Sequence, residues 1–299
     1  MDTVTTDLDQ LELVSLAWGD IEDRSRPLAV LLHGFPDTAH TWRHLGPALA
    51  EAGYRVVAPF TRGYAPSGLP ADRSYHVPAL MSDALAVHAA LGGDDRAVLV
   101  GHDWGAITAN GLAAYGESPF ARVVALAVPP FSAMNPDRAD LLGWARILPR
   151  QLVLSWYTLF NQLPVLPERS FDRLVAHLWR RWSPGYDATE DLAHLAASLP
   201  DDEHRSAAIG YYRAQPRVWR LPDRYRALAD DWVKAPRVPL LYLHGADDGC
   251  LDRRWADRVA PRLPAGSEVT VVHGAGHFLQ LEQPDAVAAR ILDFVGASA

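Results

Sequence analysis

Short apolar runs recur along the chain and are separated by stretches with a different pattern. The runs lie at residues 27–34, 54–60, 96–103, 123–130, 239–245 and 268–274. Uninterrupted apolar runs of this length are typical of strands that are buried on both faces, as in a parallel sheet. Helical spacing of apolar positions occurs at residues 38–52, 77–91, 104–116, 251–262 and 283–295. Strands that alternate with helices predict a doubly wound α/β fold.

The beginning of the chain has a pattern of its own. Residues 11–19, LELVSLAWG, predict a further strand, which we expect in an antiparallel edge of the sheet. The first ten residues show no comparable apolar pattern and are expected to be loose.

The alternation of strands and helices stops after residue 130. Residues 131–236 show helical patterns and loops without a convincing strand. The simplest interpretation is a helical cap inserted between two halves of one core, residues 1–130 and 237–299. Six of the ten tryptophans lie in the cap: Trp144, Trp156, Trp179, Trp182, Trp219 and Trp232. Most are expected to pack inside the protein, and others, Trp156 among them, to line a pocket between cap and core.

Composition and charge exclude several kinds of function. The chain has 299 residues and a formal net charge of −8, and its basic residues form no stripe. We therefore expect neither nucleic acid nor an anionic membrane as a partner. No apolar run is long enough to span a bilayer, and the N-terminus lacks the apolar centre of a signal peptide. Cys250 is the only cysteine, which excludes an internal disulfide, and these features predict a soluble cytoplasmic protein.

A candidate nucleophile lies in the segment Gly101-His102-Asp103-Trp104-Gly105, between a predicted strand and a predicted helix. This is the setting of the Gly-x-Ser-x-Gly turn that presents a serine nucleophile, but here the central residue is Asp103. The glycines allow a tight backbone, and the helix N-terminus favours negative charge, so Asp103 is expected to stay ionised. A helix N-cap is the other ordinary role of such an aspartate.

In hydrolases with this turn, an acid and then a histidine follow the nucleophile along the chain. Candidates for both follow Asp103 in this order. His277 lies in the glycine-rich stretch HGAGHFLQLEQP, between the last predicted strand and the last predicted helix. The acid comes from LHGADDGC, the loop after the preceding strand. We choose Asp248, three residues after Gly245. Asp247 is the alternative, because a shift of one residue along the loop would exchange the two positions. The acid would hold His277 in the required tautomer and stabilise its charged form.

Backbone donors are predicted beside the nucleophile. The segment HGFP ends the strand at 27–34, and we expect the N–H groups of Phe35 and Trp104 to point at one oxygen. A carboxylate nucleophile attacks a saturated carbon and forms an alkyl ester, which water activated by His277 would then hydrolyse. The residues thus predict hydrolysis at an sp³ carbon, with a halide or an epoxide oxygen as the leaving group.

The segments HGFPD, GHDWG, GADD and GAGHFLQLEQP together resemble the epoxide hydrolases of the α/β-hydrolase superfamily. The resemblance spans the whole chain and implies an α/β-hydrolase fold, with a mostly parallel sheet, flanking helices and an inserted helical cap. It also implies two cap tyrosines that donate hydrogen bonds to the epoxide oxygen. Tyr157 in SWYTLFNQ and Tyr212 in GYYRAQP occupy the matching positions, and Tyr211 is the neighbour that could be confused with Tyr212.

This resemblance implies that water and a small apolar epoxide react to give a vicinal diol. Asp103 is the expected nucleophile and His277 the general base, while Phe35, Trp104 and Trp156 are expected to line the substrate pocket. No metal or organic cofactor is required, and no cluster of histidines and carboxylates in the sequence indicates one. A homodimer is left open.

Two other functions stay open at this point. Haloalkane dehalogenases share Asp103, Trp104 and the histidine, but many have a halide-binding asparagine where this chain has Phe35. A cap tryptophan would then have to bind the halide. A non-catalytic binding protein on the same fold would explain an apolar pocket but would leave Asp103, Asp248 and His277 without a use. A serine-type esterase is disfavoured because residue 103 lacks a hydroxyl.

Overall fold

The computed structural model describes residues 2–296, and within them eight strands form one sheet. The strands are Asp2–Asp7 (β1), Glu12–Trp18 (β2), Leu28–Leu32 (β3), Arg55–Pro59 (β4), Val98–His102 (β5), Arg122–Leu126 (β6), Leu240–Gly245 (β7) and Glu268–Val272 (β8). Their order across the sheet is β1-β2-β4-β3-β5-β6-β7-β8. The neighbours from β4 to β8 are parallel, whereas β2 is antiparallel to both β1 and β4.

The central strands are rich in apolar residues because both of their faces are covered. Every residue of β3, β4, β5 and β7 is buried, and the apolar ones belong to one continuous hydrophobic core. Parallel sheets need cover of this kind on both faces. The predicted α/β-hydrolase fold with a mostly parallel sheet is confirmed.

Twelve α-helices accompany the strands in residues 2–296. They are Leu45–Glu51 (α1), Val77–Ala90 (α2), Trp104–Ala114 (α3), Phe131–Met134 (α4), Leu141–Leu154 (α5), Trp156–Phe160 (α6), Leu166–Arg169 (α7), Phe171–Trp182 (α8), Thr189–Ser198 (α9), Asp202–Ala214 (α10), Leu279–Glu282 (α11) and Pro284–Gly296 (α12). In this part of the chain, no helix combines the length and the apolar character that crossing a bilayer requires.

Two predicted helices differ from the structure. The one at 38–52 is the 3₁₀ segment Ala39–Trp42 followed by α1, and the one at 251–262 is not an α-helix. Residues 251–262 form two 3₁₀ segments, Arg253–Arg258 and Ala260–Arg262, rather than one α-helix. One continuous α-helix here would need a backbone N–H at position 261, which Pro261 lacks.

Strand β1 corrects the expectation that the first ten residues are loose. Asp2 to Asp7 pair in register with Ala17 to Glu12. The segment DTVTTD is polar but rich in β-branched residues, which favour strands, and most of its side chains are exposed or only partly buried. An edge strand of this kind carries a weak apolar pattern, so the sequence did not indicate it. Strand β2, expected at the edge, therefore lies one position inside the sheet.

Residues 131–236, here named the helical insertion, begin after the carboxyl end of β6 and lead back to β7. Their regular elements are α4 to α10 and four 3₁₀ segments. The Trp179 indole donates to the Pro36 carbonyl at 2.8 Å, and the Tyr211 hydroxyl donates to the Arg62 carbonyl at 2.8 Å. The insertion thus lies against the loops that follow β3 and β4, at the sheet edge where ligands of α/β proteins bind. Its status as a separate cap domain stays a prediction.

Candidate active site

Asp103 lies at a sharp turn between β5 and α3. Its backbone has φ 52° and ψ −114°, outside the regions that residues with a side chain normally occupy. Gly105 makes the turn possible, because a Cβ there would come within 2.0 Å of the Leu32 carbonyl oxygen. Strained backbone of this kind is typical of functional sites, and this one presents a buried carboxylate above the sheet.

The loop after β3 brings a backbone donor to this carboxylate. The Phe35 N–H donates to Asp103 Oδ1 at 2.8 Å. Asp103 Oδ1 and the Trp104 nitrogen both lie within 2.6 Å of the point where a Cβ on Gly34 would sit. Gly34 therefore leaves the space in which one oxygen can approach two amides. The donor role of the Trp104 amide stays a prediction.

His277 connects the carboxylate of Asp103 with that of Asp248. Its Nδ1 lies 3.0 Å from Asp248 Oδ2, and its Nε2 lies 3.6 Å from Asp103 Oδ2. The other oxygen of Asp248 accepts the N–H groups of Cys250 at 2.6 Å and Leu251 at 3.0 Å. The Trp182 ring packs on the His277 ring at 4.9 Å. Because the contact with Asp248 holds the Nδ1 side of the ring, Nε2 points at Asp103, the candidate nucleophile.

Pairing with two carboxylates decides the protonation state of His277. Burial disfavours the charged form of His277, but the carboxylates of Asp248 and Asp103 outweigh burial and raise the pKa of His277 to about 10. Burial raises the pKa of Asp248 in turn, and the His277 charge outweighs it, so that pKa is lowered. In the resting site, the two carboxylates thus favour the charged form of His277.

The structure separates the two candidate acids. Asp248 is buried and bonded to His277, whereas the side chain of Asp247 is exposed to solvent. Both belong to the loop after β7, and adjacent residues of a loop rarely point to the same side. The structure thus brings Asp248, and not Asp247, to the histidine.

The two predicted tyrosines approach the same carboxylate from the helical insertion. Tyr157 in α6 and Tyr212 in α10 are buried, and their rings contact each other with centroids 5.6 Å apart. Burial raises the pKa of both hydroxyls well above their usual value, so both keep the proton that a donor needs. The Tyr212 hydroxyl makes no hydrogen bond of normal geometry among the described residues, although the neighbouring Trp104 side chain offsets part of the rise in its pKa. Tyr211 differs, because its hydroxyl is bonded to the Arg62 carbonyl.

The candidate nucleophile and the two tyrosines border the same cavity, which has a volume of about 410 Å³. Asp103, Tyr157 and Tyr212 all line it, and Leu159, which is 76% exposed, lies at its rim. Apolar side chains form much of the remaining wall: Trp104, Ile107, Val128, Phe131, Met134, Leu159, Pro216 and Leu251. The site is thus a mostly apolar chamber with one carboxylate and two tyrosine hydroxyls.

The expected pocket walls are only partly correct. Trp104 lines the cavity, but Trp156 does not, and its side chain is 42% exposed and packs on Phe160 and His177. Successive residues of a helix point about 100° apart, so the inward position of Tyr157 turns Trp156 away. Phe35 is buried behind Tyr212, with ring centroids 5.3 Å apart, and does not line the cavity either.

Known proteins share both the fold and much of the sequence. Residues 27–284 match the alpha/beta hydrolase fold family. Epoxide hydrolase A of Mycobacterium tuberculosis is 32% identical over 308 residues, which cover 90% of each chain. This chain belongs to the epoxide hydrolases of the α/β-hydrolase superfamily. The family resemblance read from the motifs is therefore confirmed.

Other relatives and a solved structure agree. Epoxide hydrolase 3 of Xenopus tropicalis is 30% identical over 283 residues, which cover 91% of this chain and 72% of the relative. The crystal structure of epoxide hydrolase A from Mycobacterium thermoresistibile superposes with a TM-score of 0.74 at 27% identity, over 98% of each chain. The similarity thus extends through core and helical insertion alike.

One residue at the site was not foreseen from the sequence. The Cys250 thiol is buried, and its Sγ lies 3.4 Å from the Tyr157 hydroxyl oxygen. No sequence motif indicated a role for Cys250 beyond excluding an internal disulfide. Its position two residues after Asp248 was the available signal, since a loop that holds a buried acid also buries its neighbours.

The raised pKa of His277 predicts how stability depends on pH. The pKa is about 10 in the folded protein, against an ordinary value of 6.5. The stabilisation by charged His277 is therefore complete below pH 6.5 and is lost as pH rises toward 10. We expect the difference in free energy of unfolding between the native protein and His277→Gln to shrink over this range. Denaturant titrations measure it, and a difference that stays constant or grows would contradict the charge pairing.

Proposed function

We propose that this protein hydrolyses an epoxide to a vicinal diol through a covalent ester on Asp103. One observation carries the proposal: a single apolar cavity holds the Asp103 carboxylate and the Tyr157 and Tyr212 hydroxyls. A nucleophile for carbon and two proton donors for oxygen are what opening of an epoxide ring requires. Membership of the epoxide hydrolases supports the same reaction.

In the first step, Asp103 Oδ2 attacks a ring carbon while the C–O bond of the epoxide breaks. Oδ1 is the oxygen that Phe35 holds, which leaves Oδ2 as the attacking atom. Tyr157 and Tyr212 donate to the ring oxygen as negative charge develops on it. The product of this step is an alkyl ester of Asp103.

In the second step, water hydrolyses the ester. Esterification removes the charge of Asp103, which is one of the two carboxylates that raise the pKa of His277. The pKa of His277 therefore falls, so the imidazolium releases its proton to solvent and regains one when Asp103 is restored; in between, the neutral imidazole can take a proton from water. The hydroxide attacks the ester carbonyl carbon, and the Phe35 amide and the predicted Trp104 amide stabilise the oxyanion on Oδ1. Breakdown of this intermediate releases the diol and restores Asp103.

The cavity wall indicates a neutral, mostly hydrocarbon substrate. Its three glutamines already bond protein groups: Gln151 bonds the Cys250 carbonyl, Gln162 the Tyr212 carbonyl and Gln215 the Tyr211 carbonyl. Asp103 is the only charged residue along this wall within the described chain. A charged or strongly polar group would therefore find few free partners.

The alternative functions have less support. A dehalogenase without the halide-binding asparagine needs a tryptophan donor from the insertion, but none of the six tryptophans there lines the cavity in the described residues. A binding protein has no need for a hydrogen-bonded pair of Asp248 and His277 aimed at a strained Asp103. Epoxide opening uses all of these groups.

A product assay on the purified protein separates these functions. Styrene oxide and an alkyl epoxide are offered beside a bromoalkane and a nitrophenyl ester. We expect diols from the epoxides and no bromide release. Bromide without diol would assign the protein to the dehalogenases, and turnover of none of the four would favour a binding protein.

Loss of one tyrosine hydroxyl should slow ring opening without abolishing it. For Tyr157→Phe and Tyr212→Phe, we expect alkylation of Asp103 to slow by about 10- to 100-fold each, because one donor stays in place. Rapid-quench measurement of the alkyl-enzyme gives this rate. Tyr211→Phe is the matched control, since it removes a buried hydroxyl that bonds Arg62 and not substrate. Equal slowing in the control would contradict the assignment.

Three further features belong to the same proposal. Residues 131–236 act as a cap that closes the cavity over Asp103, which their contacts with Pro36 and Arg62 support. Water and a small apolar epoxide are the reacting partners, with no metal or organic cofactor. A cytoplasmic location and a homodimer stay predictions.

A further inference from the structure

The hydroxyls of Tyr157 and Tyr212 differ in their surroundings. The Tyr157 oxygen lies 3.4 Å from Cys250 Sγ, whereas the Tyr212 hydroxyl has the Trp104 side chain beside it and no hydrogen bond of normal geometry among the described residues. Both tyrosines are buried and line the same cavity. Among the two proposed donors, only the Tyr157 hydroxyl is within hydrogen-bond distance of the thiol.

The backbone on both sides of the thiol is held in place. The Cys250 N–H donates to Asp248 Oδ1 at 2.6 Å, and the Cys250 carbonyl accepts from Gln151 Nε2 at 3.1 Å. Gln151 belongs to α5, and Tyr157 follows in α6. The loop that carries the acid and the helices that carry the tyrosine therefore fix the distance between sulfur and hydroxyl.

The thiol can donate as well as accept a hydrogen bond. Burial raises the pKa of the Cys250 thiol well above its usual value, so the thiol keeps its proton. An epoxide oxygen is a stronger acceptor than sulfur. With substrate bound, the Tyr157 O–H is therefore free to turn to the epoxide, and the S–H can donate to the phenol oxygen.

We propose that Cys250 is a positioning residue. Its thiol directs the Tyr157 hydroxyl at the epoxide oxygen and stabilises the negative charge that forms on the Tyr157 oxygen. The inference rests on the proposed function. As Asp103 Oδ2 bonds to carbon, the electron pair of the broken C–O bond goes to the ring oxygen, which takes the Tyr157 proton. The S–H then donates to the developing phenolate. In ester hydrolysis, one proton of the water reaches the second product hydroxyl through His277, and its other proton restores the phenol.

Two substitutions separate the hydrogen bond from packing. Cys250→Val keeps a similar volume without a donor, and we expect it to slow alkylation of Asp103 by about three- to tenfold, the value of one neutral hydrogen bond. Cys250→Ser keeps a donor and should recover most of the rate. Ester hydrolysis, measured separately by rapid quench, should be unchanged in both, because the Cys250 N–H to Asp248 is a backbone bond.

The deciding experiment measures how Cys250→Val changes the rate of alkylation in each of the two tyrosine variants. In Tyr157→Phe, Cys250→Val should have no further effect on alkylation, and in Tyr212→Phe it should have its full effect. Equal slowing in both backgrounds, slower ester hydrolysis, or failure of the serine to recover the rate would overturn the inference. If the native protein forms no alkyl-enzyme with any epoxide that it hydrolyses, the covalent mechanism fails first, and this result is seen before any cysteine variant is made.

Discussion

Asp103→Ala should lose turnover of epoxides by about four orders of magnitude or more, the range found when a covalent nucleophile is removed. The reason is geometric, since among the described residues Asp103 alone lines the cavity with a carboxylate, and it sits where His277 and the Phe35 amide can act on it. Diol formation under saturating epoxide measures the loss.

The matched control for this variant is Asp247→Asn. Asp247 is exposed and has no part in the site, so its loss of charge should leave turnover unchanged. Circular dichroism and thermal unfolding establish that Asp103→Ala is folded. Turnover by folded Asp103→Ala within tenfold of the native rate would show that the reaction needs no covalent ester at this position.

His277→Gln should stop the reaction after its first step. Alkylation needs the Asp103 carboxylate, but ester hydrolysis needs an imidazole, so the second step should slow by about a thousandfold. We expect one equivalent of epoxide to be consumed in a burst. The intact protein should gain the mass of the epoxide, and the added mass should lie on the peptide that contains Asp103.

His273→Gln serves as the control because it changes an exposed histidine four residues earlier in the same loop. It should turn over epoxide normally and accumulate no adduct. If His277→Gln loses activity without an adduct, His277 acts before or during ring opening, and the assigned order of steps is wrong.

The sequence predicted the central sheet well because its strands are apolar over their whole length. The runs at 96–103 and 239–245 became β5 and β7 with ends displaced by at most two residues. Strand β1 was missed because an edge strand can be polar. The 3₁₀ segments at 253–262 were taken for a helix because apolar spacing does not distinguish hydrogen-bond patterns, and only Pro261 hinted at the interruption.

Distances inside the site depend on tertiary contacts that no local pattern contains. The choice of Asp247 or Asp248 as the acid stayed open in the sequence. Which of the two carboxylates is buried depends on how the loop after β7 packs against neighbouring elements. The sequence also placed Trp156 at the pocket, since tryptophan content does not reveal which side of a short helix faces inward. The contact of Cys250 with Tyr157 joins residues 93 positions apart, and no sequence motif indicated it.

A single turnover in H₂¹⁸O, with the native protein in excess over the epoxide, tests the Asp103 ester most directly. If Asp103 forms the ester, its own oxygen enters the diol, because water attacks the carbonyl carbon of the ester. The ester mechanism predicts an unlabelled diol and ¹⁸O on the peptide that contains Asp103. A labelled diol with an unlabelled Asp103 would show that water opens the ring directly, and the ester mechanism would be wrong.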